Sequence, residues 1–76
     1  MNIEITHNTD NHTTQKVVNA LHNSRLALPS NGGITKQWHG LILEITVLNW
    51  ARNMTDGYLI NGSKDNQHIF SITIGE

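Results

Sequence analysis

Hydrophobic and polar positions keep different periods in different parts of the chain, and the changes of period mark out its elements. Ile3 and Ile5 alternate with Asn2, Glu4 and Thr6, the period of two of a half-buried strand over residues 2 to 7. From His7 to His12 no apolar residue occurs, and Asn, Thr and Asp predict a loop. From Thr13 the period becomes helical: Val17, Ala20, Leu21, Ser24 and Leu28 share one face, and Lys16, Asn19, Asn23 and Arg25 lie mostly on the other. Thr13 or Thr14 is the expected N-cap. Pro29 is the expected stop, since the residue before proline is driven out of the α region, and Ser30-Asn31-Gly32-Gly33 supplies a turn.

Ile34 to Trp38 opens a strand, and Leu41 to Leu48 is the clearest strand in the chain. Leu41, Leu43, Ile45 and Val47 form its wholly apolar side, expected to face the helix, while Gly40, Ile42, Glu44, Thr46 and Leu48 form a mixed side. Residues 49 to 53 are read as a possible extension. Asp56-Gly57 and Asn61-Gly62 have the composition of tight hairpin turns. Phe70, Ile72 and Ile74 alternate with Ile69, Ser71 and Thr73 in a final strand. The expected fold is α+β: a single domain over residues 1–76, in the order β-α-β-β-β, with one helix packed on one face of an antiparallel sheet of about four strands and the other face open.

Composition narrows the function classes. A chain of 76 residues, 37% of them hydrophobic, can build one thin core. It has no cysteine, so disulfides and thiolate chemistry are excluded. No stretch is long and apolar enough to span a bilayer and no secretory leader is recognisable, so the expected location is the cytoplasm. The formal net charge of −1 fits neither a carboxylate-rich DNA mimic nor a non-specific DNA binder with a basic stripe.

Candidate chemistry is sparse. His7, His12, His22, His39 and His68 lack the close ligand pairs of a zinc site; His7 and His12 come nearest, and no metal or other cofactor is expected. No nucleophile motif occurs, and Glu4 and Glu44 read as charges on a sheet surface, so the chain is expected not to be an enzyme. Trp38, Trp50 and Tyr58 are aromatics with a polar handle, the kind enriched at binding surfaces. On an unbroken strand Trp38 and Trp50 share the parity of Ile42, Glu44 and Thr46 and would point away from the helix. Lys36 and Arg52 would flank them, with Lys16 and Arg25 on the exposed side of the helix. The expected partner-binding set is therefore Lys16, Arg25, Lys36, Trp50, Arg52 and Tyr58, for a host protein or nucleoprotein complex. Direct nucleic-acid binding is possible on this composition but not favoured, no membrane contact is expected, and homodimerisation through the open face or an edge strand is the alternative.

The segment Trp38-His39-Gly40-Leu41-Ile42-Leu43-Glu44-Ile45, preceded by a helix containing Gln15 and Lys16 and followed by a short hairpin, resembles the small phage-encoded anti-CRISPR proteins that inhibit type I CRISPR surveillance complexes. The loop from Pro29 to Gly33 is longer than in that pattern, and the N-terminal segment has no counterpart in it. The resemblance implies a phage or mobile-element protein, present in the host cytoplasm, that inhibits by steric occlusion rather than by catalysis. It places Lys16 among the basic helix residues such inhibitors use.

Overall fold

The computed structural model describes residues 2–30, 32–48 and 57–75. They form β1 (Asn2–Asn8), α1 (Asn11–His22), β2 (Gly33–Trp38), β3 (Leu41–Val47), β4 (Tyr58–Lys64) and β5 (Gln67–Gly75). The fold is α+β as expected, but the sheet has five strands in the spatial order β1-β5-β4-β3-β2, every neighbouring pair antiparallel. The extra strand appears because residues 33 to 47 are a hairpin. His39 and Gly40 both take positive φ (48° and 82°), the type I′ geometry that matches strand twist, and Trp38 pairs with Leu41 across the turn.

That two-residue turn reverses the parity of β2 relative to β3. Ile34, Lys36 and Trp38 pair with Ile45, Leu43 and Leu41, the apolar side of β3, so Trp38 points toward the helix and packs against the core rather than into the open face. Tyr58 is likewise on the core side, opposite Val47 and Ile74. Trp50, Arg52 and the proposed extension over residues 49–53 lie outside the described residues, as does Asp56 of the expected Asp56-Gly57 turn. Asn61-Gly62 is not a turn but the middle of β4. The β4–β5 reversal falls instead at Asp65-Asn66, again with two positive φ values, 52° and 65°. Gly62 sits opposite Phe70, and a β-carbon there would overlap the Phe70 ring, so this glycine makes room for the largest fully buried side chain.

The helix is shorter than its apolar period suggested. Its N-cap is Asp10, not Thr13 or Thr14: the Asp10 carboxylate accepts from the Thr13 backbone N–H at 3.2 Å and from the Thr13 hydroxyl at 2.8 Å. These two hydrogen bonds, the hydroxyl's first, hold the Asp10 carboxyl below its ordinary value. The fully buried Thr14 hydroxyl lies 2.9 Å from both the Asn8 side-chain oxygen and the Asp10 carbonyl, which ties the end of β1 to the first turn. At the other end the helix stops before Pro29 is reached. The Arg25 N–H donates to the Ala20 carbonyl at 2.8 Å and the Ser24 N–H to the Leu21 carbonyl at 3.3 Å, with Ser24 at φ 55°. This is the Schellman arrangement, with serine where glycine is usual.

The core lies between α1 and the sheet: Val17, Ala20 and Leu21 from the helix, Leu26 from the loop after it, and Leu41, Leu43, Ile45, Ile60, Phe70, Ile72 and Ile74 from the strands. The apolar side of β3 is thus buried as read from the sequence, and Ile42, Glu44 and Thr46 are exposed. Near the start of α1 the Thr9 N–H donates to the Ile69 carbonyl of β5, and its last turn lies beside the β2–β3 turn. Twelve residues span about 18 Å, and four strand spacings about 19 Å, so the helix just reaches across the sheet.

Candidate functional site

The helix cap and the β2–β3 turn meet at one end of the molecule and form an open cleft of about 420 Å³, lined by Lys16, Asn19, Ala20, Asn23, Arg25, Trp38 and His39. Each lining group has a local cause. Lys16, Asn19 and Asn23 follow one another at helical spacing on the exposed side of α1. The Schellman turn folds the chain back so that Arg25 lies over Ala20, and parity reversal through His39-Gly40 brings Trp38 to the same side as the helix. His39 stands edge-on to the Trp38 ring, with centroids 4.4 Å apart and planes at 82°. Left-handed backbone is uncommon outside glycine, with histidine among the enriched exceptions, and here it places an imidazole at the cleft wall.

Among the described residues, the charge of the cleft is one-signed. Lys16 and Arg25 line it, and Lys36 lies two residues from Trp38 on the same face of β2. None of Glu4, Asp10, Glu44 or Asp65 lines it. Of the six residues expected to bind a partner, the structure brings Lys16 and Arg25 together and places Lys36 nearby. Tyr58 is at the opposite end of the sheet, beside Val47, and does not belong to the cleft. The sequence reading missed Asn19, Asn23 and His39, and it assigned Trp38 to the wrong face. The usable signal was the His39-Gly40 pair, whose glycine permits a two-residue turn.

A second cluster lies on the open face. The pairing register aligns Thr35, Glu44, Asn61, Ser71 and His7 in one row across all five strands. Irregularities in register after Ile5 and after Gly62 turn His7 and His68 to this face, out of the parity of Ile5 and Phe70. Their rings stack, with centroids 4.6 Å apart and 7° between planes. The Ser71 hydroxyl donates to Asn61 Oδ1 at 2.7 Å, so toward His68 Nε2, 2.9 Å away, it acts as acceptor. That polarity is the reverse of a base activating a serine. Two imidazoles also fall short of a closed metal site, and among the described residues no three of His, Cys, Asp and Glu converge. His12, the expected companion of His7, is exposed on the first turn of α1 instead.

No helix among the described residues is long and apolar enough to cross a membrane. Comparison of the chain with protein-family models, with curated proteins and with solved structures finds no match, so its function is read from the geometry above.

Proposed function

We propose that the chain is a small non-catalytic binding protein, phage- or mobile-element-encoded, that acts by occluding a host defence nucleoprotein complex. The observation that carries this reading is the cleft: two cations, two carboxamides and an indole meet at one end of the fold, with no carboxylate among the described residues that line it. Such a surface suits an anionic partner, because like charges are absent and the aromatic supplies contact area at small entropic expense. The local resemblance to anti-CRISPR inhibitors, through the residues that form the β2–β3 turn and Lys16, supports the same class of action.

The test is co-elution of the purified protein with a purified type I CRISPR surveillance complex, followed by titration. The parent should bind stoichiometrically. Lys16→Glu and Arg25→Glu should each weaken binding by several kcal/mol while melting within about 1 kcal/mol of the parent, both side chains being exposed. Absence of any complex would refute the inhibitor reading, and unchanged affinity of both variants would place the interface away from the cleft.

A second reading, self-assembly, is favoured by one feature. β2 is an edge strand with Ile34 (41% exposed) on its helix side, and on the open face Ile42 of β3 (38% exposed) lies opposite Gln37 of β2. A solution mass twice that of the chain, returning to the monomer in Ile34→Lys, would support it.

A further inference from the structure

We propose that the cleft receives a single nucleotide unit, with its base on the Trp38–His39 corner and its phosphate between Lys16 and Arg25. This rests on the cleft being the recognition surface and names what that surface recognises. Each part of a nucleotide has a counterpart. The indole of Trp38 and the imidazole of His39 meet at 82°, so a flat ring stacked on one is also brought against the other, an arrangement that suits a planar base. Lys16 and Arg25 supply opposite charge for a phosphate, with Lys36 on the same face of β2 for a neighbouring one. Asn19 and Asn23 each carry a carboxamide with both a donor and an acceptor, the groups that read the edge of a base. The cleft volume of about 420 Å³ lies within the range of small-molecule sites, about 300 to 1,000 Å³. Sequence composition alone does not favour nucleic-acid contact, because the charges of the whole chain cancel. The fold separates them: the described cations other than Lys64 gather around Trp38, while Glu4 and Glu44 stand on the open face.

The same chemistry is offered by single-stranded nucleic acid and by a free nucleotide, and the experiment separates them. The chain has two tryptophans, so Trp50→Phe leaves Trp38 as the only indole reporter. In that background, fluorescence is titrated with an eight-nucleotide deoxyadenosine strand, with adenosine monophosphate, with inorganic phosphate and with an eight-residue glutamate peptide. Quenching by the strand that weakens with salt, with a log–log slope of about −0.7 per phosphate engaged, is the expected result. Quenching by the mononucleotide at equal affinity would keep the site and assign it to a free nucleotide. Trp38→Leu, followed by calorimetry, should lower affinity by about tenfold or more and Trp38→Phe by less, since a flat ring remains. Trp38 also packs on the core, so Asn19→Ala and Lys16→Glu, both at exposed positions, give a second arm that leaves folding intact. Equal binding of the glutamate peptide, or binding unaltered in Trp38→Leu, would overturn the nucleotide assignment in favour of an acidic peptide or a plain anion site. Absence of binding by both nucleotide probes would also overturn it. If the nucleotide probes failed while the surveillance complex bound the parent and not Lys16→Glu, the nucleotide inference alone would have failed. If Lys16→Glu and Arg25→Glu bound that complex unchanged, the cleft reading beneath it would have failed too.

Discussion

The two faces of the sheet are drawn from the same strands and differ in how they hold together. On the helix side, Leu43, Ile45, Ile60, Phe70 and Ile72 are all but inaccessible, and shape decides what is tolerated. On the open side, Thr35, Glu44, Asn61, Ser71 and His7 form a row whose ordering comes from hydrogen bonds, Ser71 to Asn61 and His68 to Ser71, and from the stacked histidines. The first face is stabilised by exclusion of water and the second merely coexists with it. The cleft belongs to neither face: it lies at their boundary, where the helix runs out and the edge strand turns.

The comparison is broken most severely by truncation on the covered face. Ile45→Ala should cost about 2 to 5 kcal/mol in denaturant melts, a large part of the stability of a domain this size, whereas its neighbour Thr46→Ala should stay within about 0.5 kcal/mol. A larger loss from Thr46→Ala would reverse the two faces. Gly62→Ala should be destabilising by about 1 to 3 kcal/mol through its clash with Phe70. Combined with Phe70→Leu it should cost less than the two single changes added, and strict additivity in that cycle would mean the ring does not lie over the glycine. On the open face, Ser71→Ala removes one hydroxyl between His68 and Asn61 and should cost only about 0.5 to 1.5 kcal/mol. A loss as large as that of Ile45→Ala would show the row to be a structural centre instead of a surface.

What could be read in the sequence was whatever depends on a single element. The alternation of Leu41 to Val47 named the buried side of β3, and the spacing of Val17, Ala20 and Leu21 named the buried stripe of the helix. What depends on two elements at once was hidden. Asn61-Gly62 has the composition of a turn, yet the glycine answers to Phe70 on the next strand, while the true turns use His39-Gly40 and Asp65-Asn66. Leu28 continues the helical period past the point where Ser24 has ended the helix, and Leu26 and Leu28 reach the core from the loop. For the site, Lys16 and Arg25 were legible as exposed cations. Their meeting with Trp38 was not, since it requires the parity reversal at His39-Gly40 and the backward fold at Ser24 together. The register shifts that bring His7 and His68 to one face leave no mark in the sequence pattern.

The pairing of β1 with β5 has a consequence in time. The Thr6 and Thr9 hydroxyls donate to Ser71 and Ile69 across separations of 65 and 60 residues, whereas β2 to β5 are joined in succession along the chain. The four-strand meander can therefore grow by local steps, but β1 gains its one neighbour among the described strands when β5 is in place, and α1, anchored to β1 through Asn8 and Thr14, is held back with it. Closing so long a loop before its contacts can form is what slows folding in proteins rich in non-local pairs. On a ribosome, β1 would emerge ahead of the other four described strands and yet pair only once β5 had followed them.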